Sequence, residues 1–158
     1  MRCCRDLDSK ITRRESAAVS EFVQSGAGIH SMRDNPYHDN PMMGCSWGSN
    51  LKAANIRKMW KSSWKTIMND KLAFSSRKIK GPDQTLLTRH IWPWGRNMSL
   101  QHDSYLCQKY PGSVGFPTER INEDFNFVGA RAHTTVESHW LWKKCPLVCR
   151  REKEWEFC

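Results

Sequence analysis

Asp6 and Asp8 flank Leu7 near the start of the chain. On an extended strand end, residues two apart point to the same side. Two carboxylates placed that way can reach one hard cation, Mn2+ or Mg2+, directly or through water. Asp-x-Asp is also a common capping and turn pattern, so the spacing alone does not decide. A second concentration of polar chemistry runs from Ser31 to Ser49. Arg33, Asp34, Asn35, His38 and Asp39 are group types that bind sugars and phosphates, and Trp47 offers a flat apolar face. Asp34 could take a proton from an attacking hydroxyl, or close a turn on its own backbone. Trp47 could stack on a sugar or acceptor ring, or fill the core. Asp83 and Gln84 sit at a helix start, where they bond hydroxyls or simply suit the positive end of the helix. His102-Asp103 is a late metal or phosphate contact, or an ordinary hydrogen-bonded pair.

These groups need elements to hold them. Arg5 to Lys10 reads as a strand end running into a turn. Thr12-Arg-Arg-Glu15 is a capping box, and Ala18, Val19, Phe22 and Val23 recur at helical spacing until Gly26 or Gly28. Residues 28–32 form a strand candidate feeding the Arg33-Asp34 loop. That loop is too rich in Pro, Gly and Asn to be regular throughout, and a loop of such length in a compact domain is more often functional than filler. Ser49 or Asn50 caps the next helix. There Ile56, Met59, Trp60, Trp64, Ile67, Met68 and Leu72 form an apolar face, with Lys52, Arg57, Lys58, Lys61, Lys65 and Lys71 on the remaining surface. That basic face reads as solvated, lacking interleaved exposed aromatics. Pro82 opens a further helix that Pro93 stops. Residues 104–107 and 125–128 are strand candidates; 136–142 could be strand or helix.

Other chemistry is absent from the sequence. There is no Gly-rich phosphate loop with Lys-Ser/Thr, and no Gly-x-Ser-x-Gly elbow around a nucleophile. A copper site built on Tyr105-x-Cys107, His139 and Cys145 lacks the paired His it needs.

The motifs fall in an order that resembles a family of glycosyltransferases with a GT-A-like, nucleotide-diphospho-sugar transferase fold. Met32-Arg-Asp-x-Pro-x-His38, followed by Pro41-x-x-Gly-x-x-Trp-Gly48, is similar to one motif of that family. Arg5-Asp-Leu-Asp-Ser9 with Arg14-Glu15 resembles its acidic metal motif and the following helix. Gly81-Pro-Asp-Gln84, then Leu86-Leu87 and Trp92-Pro93, resembles a later helix. His102-Asp-Ser-Tyr105, Phe116-Pro-Thr-x-Arg120 and Asn126-Phe-Val-Gly129 complete the series. Lys10, Asn35 and Cys45-Ser46 depart from the pattern.

The resemblance implies an α/β fold, a partial GT-A-like (Rossmann-like) domain with a mixed sheet flanked by helices over 1–130. It implies transfer of a sugar from a nucleotide-diphospho-sugar donor to a glycan or other hydroxyl acceptor. Mn2+ or Mg2+ would be held by Asp6, Asp8 and His102, with Asp34 and Asp83 catalytic and Arg33, His38, Trp47, Gln84 and Asp103 on substrate. In such a fold an N-terminal β-α-β region holding the nucleotide base precedes the acidic motif. The expectation is therefore that residues 1–158 alone have little transferase activity. The rival expectation is a non-catalytic basic binding module for an anionic partner, nucleic acid or another polyanion.

The 158 residues suffice for one domain, and 39% hydrophobic content with eight Trp argues for a real core. A formal charge of +9 attracts polyanions without choosing among nucleic acid, anionic membrane and nucleotide diphosphate. No apolar run approaches the ~20 residues of a membrane span, and residues 1–6 lack the apolar core of a signal peptide. Seven Cys leave at least one outside any intrachain pair. Cys107, Cys145, Cys149 and Cys158 cluster late, and the expectation is two disulfides among them, the pairing open, in a Cys-rich tail over 131–158. That suits the secretory pathway, such as the Golgi lumen, or a secreted protein. The rival is zinc on Cys145, Cys149, Cys158 and His139, for which Cys-x3-Cys is poor spacing.

Overall fold

The computed structural model describes residues 2–5, 7–75, 81–120, 127–130 and 143–158. Its centre is a four-stranded mixed sheet in the order β1-β3-β2-β4, with β1 Arg2–Cys4, β2 Ile29–Arg33, β3 Trp47–Ser49 and β4 Ser99–Asp103. β3 lies antiparallel to both β1 and β2, whereas β2 and β4 run parallel, with Ile29 opposite Ser99 and Arg33 opposite Asp103.

Helix α1 (Arg13–Ser25) begins as its capping residue dictates: the Thr12 hydroxyl accepts from the Glu15 N–H at 3.0 Å. It ends at Gly26, whose φ of 70° favours glycine. Ala18 joins Met32, Phe116 and Val128 in one buried cluster, and Phe22 stacks on the His30 ring. α1 thereby covers the sheet face that carries His30, Met32 and His102. The other face packs against α2 (Ala54–Met68), α3 (Lys71–Ser75), α4 (Pro82–His90) and α5 (Trp92–Gly95). There Ile29 meets Met42, Ile67, Leu86, Leu87 and Ile91. No described helix is long and apolar enough to cross a membrane.

Several elements differ from the sequence reading, each for a local reason. Residues 104–107 are not a strand. Asp103 Oδ1 accepts from the N–H groups of Tyr105 and Leu106 at 2.9 and 2.6 Å, which turns the chain directly after β4. Ser49 and Asn50 do not cap α2. The Ser49 hydroxyl accepts from Trp60 Nε1 at 2.6 Å, and the helix starts at Ala54 without a side-chain cap. The α2 stripe is only partly core: Ile56 and Ile67 are buried, while Trp64 and Met68 are exposed. Residues 136–142, among them His139, and the first half of the 125–128 candidate lie outside the described residues; 127 and 128 are loop and turn.

The late cysteines form two disulfides, Cys107–Cys149 and Cys145–Cys158. With Tyr105 they make a small separate core. Their sulfurs are spent on each other, which removes Cys145, Cys149 and Cys158 as zinc thiolates. Cys3, Cys4 and Cys45 lie outside these pairs. By the chain-entropy relation, opening the 42-residue link costs about 4 kcal/mol and the 13-residue link about 3 kcal/mol. Urea titrations of Cys107→Ala/Cys149→Ala and Cys145→Ala/Cys158→Ala should show losses of that order, the first the larger. An unchanged midpoint in both would contradict the pairing.

Candidate functional site

The carboxyl ends of the parallel pair β2 and β4 gather most of the polar motif residues, and bury them. Asp34 follows β2 directly and is fully buried. Its Oδ1 accepts from Arg14 Nε at 3.0 Å, from an Arg120 terminal nitrogen at 2.5 Å and from Ser104 Oγ at 2.5 Å. Its Oδ2 accepts from the Val128 N–H at 3.0 Å. Burial pushes this carboxyl up, but Arg120 and Arg14, helped by Ser104 and Val128, outweigh it and hold Asp34 below its ordinary value. Arg14 pays the complementary cost: burial brings its guanidinium down to about 10. A sequestered carboxylate with its lone pairs taken is a poor proton acceptor. The structure gives Asp34 a bridging post instead, joining α1, β2, β4, the 116–120 loop and the 127–130 segment.

Arg33 and Asp103 form a second buried pair on the α2/α4 side of the sheet. Arg33 Nε meets Asp103 Oδ2 at 2.6 Å, and its remaining nitrogens donate to Gln101 Oε1 at 2.9 Å and the Pro41 carbonyl at 2.8 Å. The Tyr110 ring lies 3.9 Å from the guanidinium carbon. Strand alternation sends His102 to the opposite face. There its Nδ1 is 2.8 Å from His30 Nε2 and its Nε2 3.2 Å from Glu21 Oε2, which Arg151 also holds at 2.8 Å. A carboxylate only accepts, so the consistent chain has His102 donating to Glu21 and His30 donating to His102. Burial lowers both imidazoles, His30 to about 3.

Two clefts open elsewhere. One, of about 660 Å³, is lined by Arg5, Gly44, Cys45, Trp47, Gly81 and Asp83, with the α2 and α4 side chains behind them. It joins the first residue of the acidic motif, the second half of the Pro-rich loop and the start of α4. Gly44 is there for space: a Cβ at this position would lie 2.0 Å from Asp83 Oδ2. Asp83 itself is exposed in the first turn of α4, and the next residue, Gln84, accepts at Oε1 from Asn40 Nδ2 at 2.6 Å. Trp47 is both core and wall, stacked on Trp60 with ring centroids 5.0 Å apart.

The structure thus brings Asp83 and Trp47 together, seats Gln84 beside them, and sinks Arg33, Asp34, His102 and Asp103 into the interior. His38 is half-buried, its ring edge-on to Phe127, and the partial burial pulls its pKa to about 4. Leu7 and Asp8 form an exposed turn rather than an extended strand end; Asp6 lies outside the described residues. As a divalent-cation set, Asp8 offers the hard oxygen that Mn2+ or Mg2+ takes. His102 does not fit, because both ring nitrogens are engaged and no solvent reaches it. Asp103, Cys107 and Cys149 also converge, but their two sulfurs are the disulfide. The sequence reading gave no role to Arg14, Ser104 or Arg120, nor to Glu21, His30 or Arg151. Arg14 had a signal: with Ala18 and Phe22 it shares the buried stripe of α1 at four-residue steps.

The buried histidines set the acid response. Each binds a proton more readily unfolded, near pH 6.5, than folded, so their contribution is present above 6.5 and lost as pH falls toward about 3 for His30 and about 4 for His38. Unfolding free energy from urea titration should fall between pH 6.5 and 4 by up to about 1.4 kcal/mol per pH unit for each histidine. His38→Gln should reduce that slope. Stability flat across the interval would contradict the buried neutral assignment.

No family model, no curated protein and no solved structure matches this chain.

Proposed function

We propose that the chain is a glycosyltransferase domain, taking a sugar from a nucleotide diphosphate to a glycan or other hydroxyl in an oxidising compartment of the secretory pathway. One observation carries the reading. Arg5, the Gly44–Trp47 segment and Gly81–Asp83 belong to three motifs distant in sequence, and they line one cleft. Asp8 follows Arg5 by three residues at the same end of β1 and lies in an exposed turn. There it would hold Mn2+ or Mg2+, with Asp6 as the second carboxylate of the pattern. The cation supplies positive charge against the departing diphosphate.

The protein's own groups do the rest. Asp83 accepts hydrogen bonds from sugar hydroxyls in the cleft, and Gly44 leaves room for its carboxylate. Trp47 walls the sugar with its indole, a face suited to the C–H side of a pyranose. Gln84, hydrogen-bonded to Asn40, ties the start of α4 to the Pro-rich loop.

A thermal-shift panel of sugar nucleotides with and without Mn2+ tests the reading, since a compound that binds only the folded chain raises its melting temperature. One sugar nucleotide should stabilise the protein only with Mn2+, and Asp8→Asn should remove the effect. Asp83→Asn should weaken the same compound about 10- to 100-fold, as loss of bonds to a charged group implies, without altering nucleoside diphosphate affinity. Gly44→Ala should do likewise by displacing the Asp83 carboxylate. No shift with any sugar nucleotide would overturn the proposal.

A further inference from the structure

The second cleft, about 590 Å³, lies beside the first and shares Trp47 and Trp64 with it. Its floor is three indoles, Trp47, Trp60 and Trp64, with Leu51 as the lone aliphatic contribution. Trp47 and Trp60 stack nearly parallel, 18° apart. Their ring N–H groups are spent inward: Trp60 Nε1 donates to Ser49 Oγ at 2.6 Å and Trp47 Nε1 to the Gly44 carbonyl at 3.2 Å. The floor therefore presents aromatic carbon and few hydrogen-bonding groups. Trp64 keeps 57% of its surface exposed.

Arg2, Arg57, Lys61 and Lys65 also line this cleft. Residues 57, 61, 64 and 65 share one face of α2 by three- and four-residue spacing. Among the described residues none of the four cations forms an ion pair, and no acidic side chain lines the cleft. Trp64 is thus an exposed aromatic set between lysines, the feature that the sequence reading of this face found lacking.

We propose that this cleft binds a flat aromatic anion, its ring against the indoles and its carboxylate, sulfonate or phosphate among Arg2, Arg57, Lys61 and Lys65. Volume and lining suit a small molecule. Charge complementarity selects the sign: a cation would meet four like charges, and a neutral ring would leave them unused. An alkyl chain gains most in an enclosing aliphatic tunnel, which one leucine does not make. A nucleic-acid strand wants successive stacking sites along a charged groove, whereas here the cations ring a single cleft. The site does not depend on the transferase reading, and neither a sugar nucleotide nor a divalent cation enters its test.

The test is a fluorescence titration with 1-anilinonaphthalene-8-sulfonate and, in parallel, N-phenyl-1-naphthylamine, the same ring system without the sulfonate. The sulfonate should bind once per chain, about tenfold or more tighter than the amine, as a charge-assisted contact implies, and more weakly as salt is raised. Trp64→Ala should weaken it about tenfold, the order that one lost stacking contact carries; Trp64→Phe should restore much of it. Lys61→Glu with Lys65→Glu should erase the preference for the sulfonate. Trp64 is exposed, so circular dichroism should show the fold intact in its variants. Equal affinity for the two probes, or sulfonate binding indifferent to Trp64→Ala, would overturn the proposal. So would a dimer in sedimentation velocity that Trp64→Ala dissolves, which would make the cleft an interface between copies. An oligothymidylate that displaces the sulfonate and binds tighter, also through Trp64, would overturn it in favour of a nucleic-acid surface.

Discussion

A carboxylate without water must find its counter-charges inside the protein, and Asp34 does so by drawing five separate stretches of chain to one point. Arg14 reaches it from the first turn of α1, Ser104 from the end of β4, Arg120 from the loop after Phe116, and the Val128 N–H from the segment beyond. Each partner is itself committed. Arg14 also donates to Ser104 Oγ and to the Thr118 carbonyl, and Arg120 Nε donates to the Cys158 carbonyl at 2.7 Å. The two guanidiniums repel across one carboxylate, and burial disfavours all three charges. Removing the single anion would leave two buried cations uncompensated, a loss of roughly 3–5 kcal/mol. The terminal carbonyl, the disulfide-bonded tail and the sheet are thereby one unit.

That constraint propagates to the surface through Arg33, the neighbour of Asp34. Its guanidinium and the Ser31 hydroxyl both donate to the Pro41 carbonyl, at 2.8 and 2.7 Å. Tyr110 and Lys109 hold Asp39 from the other side, the lysine at 2.5 Å. The Pro-rich loop is pinned at its middle from within, so Gly44 and Trp47 arrive against α4 in a fixed position. The interior polar pairs and the open clefts divide the labour: the first set the backbone, the second leave Asp83, Trp64 and the basic rim available to solvent.

Much of the local structure was readable. Thr12 and Gly26 mark the ends of α1, Pro82 opens α4, and the clustering of four late cysteines announces two disulfides whose pairing no spacing could choose. The sheet was harder. Parallel strands are ordinarily continuous apolar runs, whereas β2 and β4 read Ile-His-Ser-Met-Arg and Ser-Leu-Gln-His-Asp. Their charged and imidazole side chains, and the Asp34 that follows β2, find their main partners far away in sequence: Arg33 with Asp103, His30 with His102, Asp34 with Arg120. No window on the chain contains both members. The same logic hides where the polar motif residues sit. Charged groups in a motif suggest contact with a ligand, but Arg33, Asp34, His102 and Asp103 meet each other and their neighbours. Asp83 differs because α4 presents it at a helix start, where a side chain faces solvent unless something covers it. Trp64 was hidden in an apolar stripe wider than the core that α2 faces.

If one buried carboxylate fastens these segments together, loosening it must be felt at all of them at once. Hydrogen exchange by mass spectrometry on Asp34→Asn, compared with the unaltered protein, measures this directly. Faster exchange should appear together in residues 13–25, 29–33, 99–106 and 116–120, and at the Gly44–Trp47 segment of the cleft, with a common change in protection. Faster exchange confined to the few residues around position 34, with α1, β4 and the cleft loop unaltered, would contradict the account.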